Sequence, residues 1–119
     1  MSEAWIDVAA ADDVPEEGTL LVSGEGRRIC LYKLDDEVFA SDDLCTHGNA
    51  SLSEGFIFDG KIECPFHQGL FDIRTGKAVG APCETDLKVY PVRIECGRVS
   101  ITLANDARGT VQAEPAKSV

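Results

Sequence analysis

Cys45-Thr46-His47-Gly48 and Cys64-Pro65-Phe66-His67 are the two stretches on which the reading of this chain turns. Each pairs one thiol with one imidazole, first as Cys-x-His and then as Cys-x-x-His. The chain has only two histidines, and both fall in this pattern. Short spacing lets a single loop present both donor types to one inorganic centre, and two such loops can clamp it from opposite sides. Thiolates suit soft metals and iron–sulfur clusters, while imidazole suits iron and zinc alike. Two readings follow: a [2Fe–2S] cluster in which imidazoles replace two thiolates, or a tetrahedral zinc site. The first pair has one intervening residue and finger-like spacing is missing, which favours the cluster.

Glycine accumulates around these stretches. Between about Asp42 and Pro82 stand Gly48, Gly55, Gly60, Gly69, Gly76 and Gly80, six of the eleven in the chain. A loop folded over an inorganic core needs left-handed positions and close backbone approach, which Gly48 and Gly69 suit. The region reads as loops and short strands inserted into a β framework made by residues 1–41 and 83–103.

That framework is expected to be all-β. Arg28-Ile29-Cys30-Leu31-Tyr32-Lys33-Leu34 is rich in β-branched and aromatic residues, and Asp35-Asp36 reads as a tight turn into Glu37-Val38-Phe39-Ala40. Residues 87–94 and 98–103 read as a hairpin, with Gly97 supplying the turn. Pro91 cannot donate to a ladder, so its strand belongs at an edge or carries a bulge there. One short turn is expected over Asp12–Gly18. No segment holds a 3.6-residue period between cap signals. Residues 104–119 have no apolar stripe to bury and are expected to form a flexible tail beyond a single domain at 1–103.

Composition narrows the class. The 119 residues suit one domain, and the net charge is −10. Nucleic acid and anionic membranes are therefore poor partners; a basic protein surface is the natural complement, although acidity also simply favours solubility. No apolar run suggests a signal peptide or a membrane span, so a cytoplasmic protein is expected. Five cysteines is an odd count, and without an export signal it argues for metal ligands over a disulfide scaffold. Cys30, Cys83 and Cys96 then remain as free, inert thiols, Cys30 packed on a strand and the other two exposed. Trp5 reads as packing. Asp42-Asp43 reads as a capped turn or part of an acidic docking rim. Phe66 and Gln68 would shield the centre or touch a partner. Gly24-Glu25-Gly26 has Ile29 where a dinucleotide-binding motif would have its third glycine, so no nicotinamide site is expected.

Cys45-Thr46-His47, followed by Cys64-Pro65-Phe66-His67-Gln68-Gly69, resembles the Rieske family. The similarity extends over about residues 5–103 and includes Asp13-Val14-Pro15-Glu16, Phe71-Asp72 and Thr75-Gly76. The resemblance implies a Rieske fold, an antiparallel β base with a smaller cluster-binding subdomain at about 42–82. It implies one [2Fe–2S] cluster, with Cys45 and Cys64 on the buried iron and His47 and His67 on the outer iron. Neutral imidazoles carry less negative charge than thiolates, and two-His clusters work at roughly −150 to +300 mV against about −400 mV for four-Cys ones. Rieske proteins of respiratory and photosynthetic complexes resemble Cys-Thr-His-Leu-Gly-Cys and Cys-Pro-Cys-His-Gly-Ser; here Ala50 and Phe66 remove their loop disulfide. Gly69 and Phe71 stand where they carry Ser and Tyr hydroxyls, so a potential low in the Rieske range is expected.

Within the family, the chain looks like a stand-alone ferredoxin of a bacterial aromatic-ring-hydroxylating dioxygenase system. That likeness implies a one-electron carrier, not itself an enzyme, between an NAD(P)H-dependent flavin reductase and a terminal oxygenase, docking transiently as a monomer. With both histidines used, no 2-His-1-carboxylate site is available and no catalytic residue is expected. The alternatives are a small Rieske-like subunit of a nitrite reductase and a metal-stabilised interaction module without redox duty.

Overall fold

A two-residue turn with both φ angles positive recurs four times in the computed structural model, which describes residues 5–46, 50–65, 69–80 and 85–103. The turns are Glu25-Gly26, Asp35-Asp36, Asp59-Gly60 and Cys96-Gly97, with φ between 51° and 84°. This is the turn whose twist matches that of paired strands. Each therefore folds the chain back into an antiparallel hairpin, and Gly24-Glu25-Gly26 is one of them.

Among the described residues eleven strands result: β1 Trp5–Ala10, β2 Thr19–Gly24, β3 Arg27–Leu34, β4 Glu37–Asp42, β5 Phe56–Phe58, β6 Lys61–Glu63, β7 Leu70–Asp72, β8 Ala78–Gly80, β9 Val89–Tyr90, β10 Val92–Glu95 and β11 Arg98–Thr102. They form three antiparallel sheets of order β1-β11-β10, β2-β3-β4-β9 and β5-β6-β7-β8. The only helical turns among the described residues are 3-10, at Ala11–Asp13 and Leu52–Glu54. The all-β expectation holds. The stretch 87–94, read as one strand, is two. At Pro91 the chain leaves the edge of the β2-β3-β4-β9 sheet and joins the edge of the β1-β11-β10 sheet. The missing N–H of Pro91 thus falls between two ladders, while its carbonyl still accepts from Thr102 at 3.3 Å.

β3 is buried on both faces, and this organises the core. Ile29 and Leu31 face one cluster, with Ala9, Val14, Val38, Ala40, Tyr90, Val99 and Ile101 between the two larger sheets. Cys30, Tyr32 and Leu34 face a second, with Leu52, Ile62, Phe71, Ile73 and Leu87 under the small sheet. Period-two alternation sends successive side chains to opposite faces, so one strand serves both cores. Cys45 and Cys64 belong to the second core.

The small sheet sits in chain order between β4 and β9, which pair with each other. Gly76 fastens its far end: φ is +80°, and an added Cβ would lie 2.4 Å from the Leu87 carbonyl oxygen. Asp72 shapes the same turn by accepting the Arg74 and Thr75 N–H groups at 2.9 and 3.2 Å.

Candidate metal centre

The two ligand segments have the same backbone device at their base. The Cys45 N–H donates to the Ala50 carbonyl at 2.9 Å, and the Cys64 N–H donates to the Gly69 carbonyl at 2.8 Å. Each bond joins a cysteine to the residue five positions on and closes a four-residue tip. His47 is the second residue of the first tip and His67 the third of the second. Residues 47–49 and 66–68 lie outside the described residues, as do Cys83, residues 104–119 and therefore the expectations placed on His47, Gly48, Phe66, His67, Gln68, Cys83 and the tail.

Different sheets carry the two bases. The first tip continues β4: Asp43 and Leu52 are joined backbone to backbone at 2.7 Å, Leu44 bridges to Ser51, and Cys45 pairs with Ala50. The second tip crowns the β6–β7 hairpin, where Glu63 pairs with Leu70. Thr46 fastens the first tip to the segment before β9 by donating its hydroxyl proton to the Thr85 carbonyl at 2.8 Å.

Both thiols are buried, Cys45 at 4% exposure and Cys64 at 1%, and neither is in a disulfide. Two thiols rooted in one apolar core, each with an imidazole two or three residues further along a tip, fit a cluster with a buried Cys-ligated iron and an outer His-ligated one. The surrounding residues fit it too. Ala50 is buried with no sulfur to offer its neighbours, and Phe71, fully buried, carries no hydroxyl.

Asp43 cannot belong to an exposed acidic rim, whereas the Asp42 side chain keeps 33% exposure. Asp43 is fully buried; it accepts from Arg28 at 3.0 Å and from the Ser53 N–H at 2.9 Å, the latter at the start of the 3-10 turn. Asp42 accepts the Tyr90 hydroxyl proton at 2.5 Å. Burial and the Asp42 carboxylate together push the Tyr90 phenol well above its ordinary range. Exposed acids gather instead at the opposite end of the β3–β4 hairpin, where the Glu16 carboxylate accepts the N–H groups of Asp35 and Asp36 at 2.7 and 3.3 Å.

The remaining described cysteines behave as expected by position. Cys30 is fully buried, and burial pushes its thiol up to about 12. Cys96 is exposed at its turn. Trp5 is half-buried under the Arg93 guanidinium, 4.4 Å from the ring centroid. Phe56 and Phe58 stand exposed on the outer face of the small sheet, with Ile57 turned inward; their Phe-x-Phe alternation was the available signal for this apolar face.

Residues 4–91 match the Rieske [2Fe-2S] domain family. A relative from Ralstonia sp, the ferredoxin component of naphthalene 1,2-dioxygenase/salicylate 5-hydroxylase systems, is 48% identical over 87% of this chain and 99% of its own length. Among solved structures, the Sphingomonas yanoikuyae B1 ferredoxin superposes with a TM-score of 0.78 at 41% identity, over 85% of this chain and 98% of its own. A chain from the complex of reduced oxygenase and oxidized ferredoxin in carbazole 1,9a-dioxygenase superposes at 0.79 with 37% identity, over 85% and 94%. With paired Cys/His tips on an antiparallel framework and these likenesses over most of its length, the chain belongs to the Rieske [2Fe-2S] family.

Proposed function

We propose that this chain is the electron-carrying ferredoxin of an aromatic-ring dioxygenase system. It takes electrons singly from an NAD(P)H-dependent flavoprotein reductase and hands them to a terminal oxygenase. The observation that carries this reading is the matched pair of loop bases at Cys45 and Cys64, in a chain that resembles dioxygenase ferredoxin components over nearly their whole length. That likeness favours this role over a nitrite reductase subunit or a module without redox duty. The chain is a carrier and not itself an enzyme.

Cys45 and Cys64 would hold the inner iron, and His47 and His67 the outer one. When bound, the [2Fe–2S] cluster supplies reversible one-electron chemistry. The chain's own part is to bury both cysteine thiols in an apolar core, keeping water from them. Leu44 and Thr46 are exposed beside the first tip. The negative charge elsewhere steers a basic partner at long range. No helix among the described residues is long and apolar enough to cross a membrane, and a cytoplasmic monomer with one domain at 1–103 fits the reading.

Electron paramagnetic resonance of the dithionite-reduced holoprotein tests the ligands: a mixed Cys/His spectrum is expected, and its loss in Cys45→Ser and His67→Cys variants. Absence of any reducible cluster would sink the proposal. Stopped-flow oxidation by a terminal oxygenase tests the role, with the second-order rate expected to fall as salt rises. A stable co-purifying complex with a nitrite-reducing flavoprotein would favour the alternative.

A further inference from the structure

Asp43 has a carboxylate that solvent does not reach, and a buried charge persists only where partners compensate for its lost hydration. Its Oδ1 accepts the Ser53 N–H at 2.9 Å, and its Oδ2 accepts from Arg28 Nη2 at 3.0 Å and from the Ser51 hydroxyl. Its own N–H donates to the Arg28 carbonyl at 3.1 Å, and its carbonyl accepts from the Leu52 N–H at 2.7 Å. Arg28 is on β3, whereas Ser51, Leu52 and Ser53 form the returning arm of the Cys45 loop. The Thr19 hydroxyl on β2 adds a bond to the Ser53 carbonyl at 2.7 Å. Both arms of this loop are thus fastened to the β2–β3 hairpin, two residues before Cys45.

Cys64 is carried by another sheet, so no single element sets the offset between the two cysteines. We infer that Asp43 is a positioning residue for electron transfer: with Arg28 and Ser51 it fixes the Cys45 loop against the base sheet, and through that offset it sets how firmly the cluster is held and at what potential it works. This rests on the ligand assignment proposed above. Asparagine at this position keeps the size but replaces one acceptor oxygen with an amide donor. That donor would face either the Ser53 N–H or the Arg28 guanidinium, both donors themselves.

The test compares holoprotein of Asp43→Asn, Ser51→Ala and Ser51→Thr with the wild type. Iron release to a chelator, the resonance spectrum of the dithionite-reduced state and the reduction potential are read in each. Asp43→Asn is expected to release iron about 10-fold faster, the scale typical of lost outer-shell bonds. Its reduced-state g-values should shift and its potential rise, because a buried negative charge near the cluster is gone. Ser51→Ala, which leaves that charge in place, should move iron release and the g-values in the same direction by less, and Ser51→Thr, which keeps the hydroxyl, should leave both near wild type. If Asp43→Asn and Ser51→Ala only lower the unfolding temperature and leave spectrum and potential at wild-type values, the inference is overturned. If Asp43→Asn does not fold, the Ser51 pair decides alone. A wild-type spectrum without mixed Cys/His ligation would overturn the ligand assignment and this inference with it; a wild-type spectrum of the expected kind beside unmoved variants overturns only the role of Asp43.

Discussion

A Cβ placed on Gly55 would stand 2.1 Å from the carbonyl oxygen of Glu63, a distance no side-chain motion can relieve because the obstacle is backbone. Glu63 ends β6 and immediately precedes Cys64, so the contact presses the end of the Cys45 loop's returning arm against the root of the second tip. Gly55→Ala must therefore push β6 away from its neighbours. The expected cost is about 1–3 kcal/mol of unfolding free energy, the usual range for overpacking. Lower cluster occupancy should accompany it. Urea denaturation and iron content per chain check both, and an alanine variant with wild-type values would mean that the backbone relaxes freely here.

Cys96 is the reverse case, a residue whose backbone is strained for no packing reason. Its φ of +52° puts an L side chain in the left-handed region, at the first central position of the β10–β11 turn. Asparagine tolerates that region better and, followed by Gly97, makes the pair preferred in such turns. Cys96→Asn is expected to stabilise the protein by about 1 kcal/mol or less. The change should appear as a higher urea midpoint with the slope of the transition unchanged. It should leave the cluster spectrum untouched, since the turn belongs to the sheet that does not carry either cysteine base.

The family was legible because the spacing of Cys45, His47, Cys64 and His67 is a local pattern, and the hairpins at Asp35-Asp36 and Cys96-Gly97 because turn residues interrupt long alternating strands. The small sheet was visible only as a glycine-rich insertion. Its four strands have three residues each, too few for a period to emerge, and even the Asp59-Gly60 turn signal lacks long flanking alternation. Splitting 87–94 at Pro91 requires knowing that two sheets meet there. Asp43 was the least legible. Its partners Arg28 and Ser51 come from different elements, and an Asp-Asp pair before a ligand reads equally well as a solvated turn. Local pattern points to the family; the Asp43 contacts with Arg28 and Ser51 arise only when the folded chain brings separate elements together.

Asp7 and Arg98 tie β1 to β11 on the surface, with Arg98 Nη2 2.7 Å from Asp7 Oδ1 and Arg98 Nε 3.2 Å from both carboxylate oxygens. The Arg98 hydrogen bonds hold the Asp7 carboxyl below its ordinary value of 3.8. The folded state thus binds this proton more weakly than the unfolded chain. The pair's contribution is present above the unfolded pKa and is lost as pH falls through the lowered one. Because both groups are fully exposed, the effect is small and screened by salt. Asp7→Asn should lower the urea midpoint slightly at neutral pH and low salt. The difference from wild type should vanish below the carboxylate range and at high ionic strength; a difference that persisted in acid would point to packing instead of charge.

Phe71 offers the sharpest test of why this centre should work at low potential. It is fully buried in the core that holds Cys45 and Cys64, and the resemblance to Rieske proteins of respiratory and photosynthetic complexes implies a tyrosine at this position in those proteins. A hydroxyl donating to a ligand or cluster sulfur favours the reduced form, which carries one more negative charge. Phe71→Tyr should therefore raise the potential. For a one-electron couple a tenfold change in equilibrium is 59 mV, so a donor favouring the reduced form by about 1 kcal/mol moves the potential by roughly 40 mV. The added oxygen must find an acceptor in an apolar core, and a variant that fails to do so loses about 1–3 kcal/mol of stability instead. Voltammetry and urea unfolding on the same sample separate the outcomes. A raised potential at near-wild-type stability means that the hydroxyl has reached sulfur. An unchanged potential with lowered stability means that Phe71 does not face the cluster and plays no part in setting its potential.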